Sequence, residues 1–139
     1  MTTEKRYEIA VKVETAFVPD QSDVNAGRYV FSYTIKITNI GNVAAQLISR
    51  HWVITDAEQQ VQEVRGLGVV GEQPLLEPNA SFEYTSGTML STPVGAMRGS
   101  YFFTAVDGTQ FEAPIATFTL SMPRVLHWCK ILKNLAFLF

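Results

Sequence analysis

Between Arg28 and Ile37 the chain alternates without a break: Tyr29, Phe31, Tyr33, Ile35 and Ile37 fall on one side, and Val30, Ser32, Thr34 and Lys36 on the other. A period of two is that of a β-strand with one face in a core, and a helix would scatter these five large side chains around its whole circumference. Any fold for this chain must therefore supply a second apolar layer for that face. Tyr7, Ile9, Val11 and Val13 repeat the pattern against Glu8, Lys12 and Glu14, with Ala10 neutral. The segment between the two runs collects Pro19, Asp20, Ser22, Asp23, Asn25 and Gly27, which favour turns or compete with a ladder through their own side chains, so it reads as a solvated loop.

The same signals continue along the chain. Asn39-Ile40-Gly41-Asn42 is a turn cluster, and Ala45 to Thr55 is a second long β run. There Ile48, Trp52 and Ile54 share a parity with Arg50, so either Arg50 sits at the sheet rim or a bulge changes the parity. Asp56-Ala57-Glu58 turns the chain into Gln60 to Arg65, whose weak alternation and polarity suit a short edge strand. Ser100 to Val106 and Gln110 to Leu120 flank Asp107-Gly108, the signature of a two-residue hairpin, and Pro114 puts the second arm at a sheet edge or on a bulge. Glycines and prolines crowd the stretch from Val64 to Tyr101, where only Ser81 to Ser86 reads as a strand; the rest reads as a long connection able to present a binding surface.

About seven strands with closely spaced turn signals and no helix before the tail point to an all-β fold, an immunoglobulin or fibronectin III-like antiparallel β-sandwich. Trp52 stands where such domains bury an aromatic between sheets. A closed barrel is the alternative, because strand number alone does not decide closure. At 139 residues, 47% of them apolar, the chain is long enough for one domain with its own core. Its formal charge of −2 gives no electrostatic ground for nucleic-acid binding. Cys129 is the only cysteine, which excludes an internal disulfide and suits a reducing compartment. The opening MTTEKRYE lacks the apolar run of a secretory signal, so the expected location is the cytoplasm.

Several segments together resemble the ApaG family. They are SRHWVITD (Ser49 to Asp56), GLGVVGEQP (Gly66 to Pro74), FEYTSGTMLSTPVGAMRGSY (Phe82 to Tyr101) and MPRVLH (Met122 to His127), in the same order and spacing, and the likeness runs from about Tyr7 to His127. The resemblance implies a small bacterial protein with a fibronectin III-like fold. The same domain in eukaryotic F-box proteins and in a polymerase-delta-interacting protein implies a role in protein contacts. The family's links to cobalt tolerance, to magnesium efflux and to genes near a diadenosine tetraphosphatase come without a molecular activity.

Candidates for chemistry are few. Gly66-Leu67-Gly68-Val69-Val70-Gly71 matches G-x-G-x-x-G, which holds a pyrophosphate when a helix follows. Pro74 and Pro78 come too soon for that helix and Glu72 would repel a phosphate, so turn and packing duties are favoured for Gly66, Gly68 and Gly71. A weaker phosphate nest of successive amides beside Arg65 is the second reading. No metal site is expected, since His51 and His127 lie far apart with no ligand spacing, and Asp20, Asp23 and Asn25 lack the pattern of a calcium loop. On a strand His51 points away from Arg50 and Trp52, toward a sheet surface. Thr85, Ser86 and Thr88 form no nucleophile elbow and read as partners for backbone groups. The aromatic runs Tyr29/Phe31/Tyr33 and Tyr101/Phe102/Phe103 read as core packing rather than base-stacking platforms.

The tail, WCKILKNLAFLF over 128–139, departs from the family pattern. Trp128, Ile131, Leu132, Leu135 and Leu138 fall at helical spacing opposite Lys130, Lys133 and Asn134, which suits a short amphipathic helix too short to span a bilayer. It is a natural extension covering a sheet or dimer surface, a membrane-surface anchor, or translated vector sequence unrelated to the fold. The last is favoured, because the family domain, 1–127, is complete without it. The expectation is a non-enzymatic domain with no cofactor, contacting another protein through the exposed parts of Gly66 to Gln73 and Ser86 to Met97, with no nucleic-acid or membrane partner. The alternative is a small-ligand sensor binding a phosphate compound or divalent cation at the glycine-rich loop. Monomer and homodimer, the latter through an uncovered edge strand, are both compatible with the pattern.

Overall fold

Eight strands follow one another in chain order: β1 (Ile9–Phe17), β2 (Tyr29–Asn39), β3 (Ala45–Asp56), β4 (Val61–Leu67), β5 (Leu75–Leu76), β6 (Ser81–Leu90), β7 (Val94–Ala105) and β8 (Gln110–Ser121). The structure, a computed structural model, describes residues 4–123, 132–133 and 135–136. One sheet has the order β1-β2-β6 and the other β4-β3-β7-β8, with the two-residue β5 also pairing with β3; every pairing among these eight strands is antiparallel. Each sheet ends in unpaired strands, so this is the immunoglobulin/fibronectin III-like sandwich and not a closed barrel.

The alternation of β2 does what its pattern requires. Phe31, Tyr33, Ile35 and Ile37 are buried, while Lys36 is exposed. They meet Leu47, Trp52 and Ile54 of β3, Met97, Tyr101 and Phe103 of β7, and Ala113, Ile115 and Leu120 of β8. Each fully buried side chain of this size contributes about 1.5–3 kcal/mol of hydrophobic free energy. Trp52 lies between the sheets as expected, its ring 5.5 Å from Tyr33, 6.2 Å from Tyr101 and 5.9 Å from Phe118.

Arg50 shares the inward parity of Trp52, and a bulge does lie beside it. Leu47 faces Phe103 while Ser49 faces Phe102, which leaves Ile48 as an extra residue. Leu47 and Trp52, five positions apart, therefore both point inward. A second bulge lies in β8, where Met97 faces Phe118 and Gly99 faces Ile115; Pro114 sits outward on this edge strand, satisfying both parts of the expectation for it. Asn39, read as a turn residue, is buried. Its Nδ2 donates to the carbonyls of Val43 (2.9 Å) and Leu76 (3.0 Å) while its Oδ1 accepts from Gly41 N–H, tying the β2–β3 turn to β5.

Three expectations are corrected. The Val64 to Tyr101 stretch is mostly strand, because its glycines serve close backbone approach as well as turns: a Cβ on Gly99 would collide with the His51 carbonyl oxygen. Only Gly68 to Pro74, Glu77 to Ala80 and Ser91 to Pro93 remain as connections. The Asp107-Gly108 hairpin has a three-residue turn, in which Gly108 N–H donates to Ala105 and only Gly108 (φ 92°) takes a positive φ. In the tail, β9 (Leu132–Lys133) and β10 (Leu135–Ala136) are extended and paired in parallel, so the expected helix is not found at those four residues; the rest of it lies outside the described residues. An isolated helix of about twelve residues is marginal in water without a packing partner. Asp20 and Asp23 lie in two 3-10 turns, Pro19–Gln21 and Val24–Ala26, where the Asp23 carboxylate accepts from Ala26 N–H.

The β7–β8 turn also holds the N-terminal arm. Asp107 accepts from Tyr7 Oη (2.6 Å), Thr109 N–H (3.0 Å) and Lys5 Nζ (3.0 Å), and these bonds, that of Tyr7 first, keep its carboxyl well below the usual carboxylate range. A carboxyl depressed in the folded state stabilises above its unfolded value, about pH 4, and that contribution fades as pH falls further toward the folded value. Asp107→Asn should therefore lower stability at pH 7, with the gap to the parent closing below about pH 4 in urea titrations. Gly99→Ala, which forces a methyl group against backbone, should cost about 3 kcal/mol in the same assay.

Candidate functional site

The two sheets are unequal in width. On one side β1 lies against β8 and closes the sandwich. On the other side, among the described residues, β4 pairs only with β3 and β6 only with β2, so two free edges flank an open groove. Its middle section, about 370 Å³, has Tyr33, Arg50, Trp52 and Ile54 as its floor, with Gln62 and Val64 of β4 facing Ser86 to Met89 of β6. One end continues for about 260 Å³ toward Val69, Val70 and Gly71. The other continues for about 300 Å³ toward Asp56, whose buried carboxylate accepts from Glu58 and Gln60 N–H and from Ser91 Oγ.

Arg50 organises the first end. Its Nη1 donates to the carbonyls of Leu67 (3.1 Å) and Gly68 (2.9 Å), and no carboxylate lies within 4 Å of its guanidinium among the described residues. Beneath it the Tyr84 and Tyr101 hydroxyls share a hydrogen bond. Burial pushes Tyr84 up to about 12 and Tyr101 higher still, with the Tyr84 neighbour adding to the latter, so both stay neutral at pH 7.

The glycine motif explains itself in this setting. Gly66 pairs with Arg50 across β3–β4, and a Cβ there would come within 2.7 Å of the guanidinium. Gly68 (φ 64°) could carry no side chain beside the Glu72 carbonyl. Val69 and Glu72 exchange N–H···O bonds of 2.8 and 2.9 Å around Val70 (φ 44°) and Gly71 (φ 80°), a turn of the I′ kind. The N–H of Gly68 donates to the carbonyl of the bulged Ile48 (2.8 Å), which also accepts from Gln73 Nε2 (2.9 Å). The next element is β5, not a helix. Of the amides a phosphate nest would need, those of Gly68 and Val69 already have protein partners.

His51 lies on the outer face, as its parity requires. Its Nε2 is 2.9 Å from Glu63, and this contact holds the Glu63 carboxyl below its ordinary value. His51 borders a shallow cleft of about 490 Å³ with Ser100, Phe102 and Glu112, but no serine hydroxyl hydrogen-bonds the imidazole among the described residues. No group of three or more His, Cys, Asp or Glu placed to hold a metal occurs among them either. His127 and Cys129 lie outside the described residues.

The two segments expected to form a surface, Gly66 to Gln73 and Ser86 to Met97, border the same groove. The second is not a loop: Ser86 to Leu90 is the β6 edge, and Gly95 and Met97 are buried in β7. Sequence reasoning missed the groove because edge status depends on pairing. It singled out Arg50 but not its role; the signal was a lone guanidinium on an apolar parity, with a glycine motif downstream. Replacing Tyr84 or Tyr101 singly by Phe should cost about 1–2 kcal/mol by stranding the other hydroxyl, and the double replacement should cost less than the sum, as a double-mutant cycle in urea would show.

The ApaG domain profile matches residues 19–105. ApaG of Methylobacillus flagellatus is 71% identical over 127 residues, 91% of this chain and the whole of that protein. ApaG of Nitrosospira multiformis is 64% identical over the same shares. A crystal structure of a Bordetella pertussis protein described as ApaA superposes with a TM-score of 0.84 at 58% identity, covering 86% of this chain and 98% of that one. Fold, motifs and relatives agree: the chain belongs to the ApaG domain family.

Proposed function

We propose that this chain is a non-enzymatic protein-interaction domain that works in the cytoplasm by receiving a partner in the groove between β4 and β6. The observation that carries the reading is the pair of facing, unpaired sheet edges with Tyr33, Trp52, Ile54 and the Arg50 guanidinium on the floor between them. Free backbone donors and acceptors beside buried aromatics are what an interaction module offers a polypeptide, and Val61, Leu67, Val70 and Met89, each more than half exposed, rim the opening. Any effect on cobalt tolerance or magnesium efflux is then indirect, exerted through a transporter or regulator that the domain contacts. The rival is a small-ligand sensor, binding a phosphate compound or a divalent cation at Gly66 to Gly71.

An affinity pull-down beside a thermal-shift screen of pyrophosphate, ATP, Mg²⁺ and Co²⁺ separates the two. A ligand at a hundred times its Kd adds about 2.7 kcal/mol, or several degrees in Tm. The expected outcome is a reproducible partner that is lost with Met89→Lys, retained with Lys12→Ala on the closed side, and accompanied by no ligand shift. A clear shift with no partner would establish the sensor instead.

A further inference from the structure

Three strands of one sheet lie over four of the other, and the mismatch falls entirely on the β4 side. Strands in a sheet repeat every 4.7–4.9 Å or so, and the uncovered inner face of β4 is the place a fourth strand of the smaller sheet would cover. The two edges are not equally available to such a strand. β4 carries Glu63 and Arg65 and is followed by the tight Gly68 to Gln73 hairpin, features that discourage edge pairing. From Thr85 to Leu90 the β6 edge has no charge and no proline. It is an unguarded template.

The floor supplies the chemistry of recognition. Side chains of an added strand would point at alternate positions toward Arg50, Trp52 and Ile54, which succeed one another along β3 with the same period of two. Arg50 has two carbonyl partners and no carboxylate among the described residues, and no acid lines the groove sections it borders between the sheets. A guanidinium in that state is matched by a carboxylate, through charge-assisted hydrogen bonds. Trp52 and Ile54 are already buried, and the groove walls at their level include Val64 and Met89, which are matched by apolar side chains.

We propose that the free edge of β6 takes up an extended segment of a partner protein as an added strand, and that an aspartate or glutamate of this segment pairs with Arg50 while apolar residues two and four positions away pack at the level of Trp52 and Ile54, against Val64 and Met89. The proposal rests on the interaction reading above and specifies its partner. A second copy of this chain is a poorer occupant: paired β6 edges would bring Thr85 to Leu90 opposite one another, with no acid for Arg50.

The test is selection of random twelve-residue peptides displayed against the full chain. Enriched peptides should carry one acid with apolar residues two and four positions away on one side of it. For a synthetic peptide of that sequence, changing its acid to the amide should weaken binding tenfold or more. N-methylating alternate backbone nitrogens in one register should abolish binding, and bound peptide should shift the amide resonances of Ser86 to Met89. Arg50→Gln should erase the preference for acid over amide; if that variant does not fold, the acid and amide peptides on the unaltered chain, with Arg50→Lys beside them, give the same readout. Peptides without an acid, indifference to N-methylation, or a dimer that buries the β6 edge would overturn the proposal. Peptides bound on another face would overturn this site but leave the interaction reading standing, whereas a chain that captures neither peptide nor partner refutes both.

Discussion

The packing of Trp52 between the sheets is the interaction on which the rest of this structure hangs. Its indole meets Tyr33 from the opposite sheet and Tyr101 and Phe118 from its own, all at tilted or edge-on angles, so one side chain fixes the separation of the layers and the inward face of β3. Once that face is set, the strand period places Arg50 one step toward the glycine hairpin and Ile54 one step toward Asp56. The groove is the part of this inner face that the narrower sheet does not cover.

The G-x-G-x-x-G sequence has the same origin. In nucleotide-binding folds those glycines bring backbone to a phosphate at a helix start. Here two of them answer a protein neighbour, a guanidinium over Gly66 and a carbonyl beside Gly68, and Gly71 answers only its left-handed backbone. The motif is the packing requirement of a half-buried arginine and of the hairpin that caps it. Val70 takes a positive φ of 44°, unusual for a β-branched residue, so the hairpin is held by its surroundings rather than by local preference.

Much of the fold was legible because alternation is a local signal. The β2 run from Tyr29 to Ile37, the burial of Trp52, the outward turn of His51 and the edge position of Pro114 all follow from parity and proline chemistry within a few residues. What was not legible depended on partners distant in sequence. Gly95 and Gly99 look like strand breakers until β3 is seen against them, and Asn39 looks like an ordinary turn residue until Leu76 closes over it. The site was half visible for the same reason. Arg50 on an apolar parity was a readable anomaly, whereas the openness of the β4–β6 side is a property of strand order, which no single segment encodes.

Ile48 has a consequence that reaches past its own strand. As the supernumerary residue of β3 it resets the phase between Leu47 and Trp52, and its carbonyl anchors both Gly68 and Gln73. Interior phase and the seat of the glycine hairpin are thus joined in one peptide unit. A deletion there would let the ladder close without a hitch and keep every inward side chain inward, yet it would unmoor the rim of the cleft. Changes of length in this strand would be registered at the mouth of the molecule before they were felt in its interior.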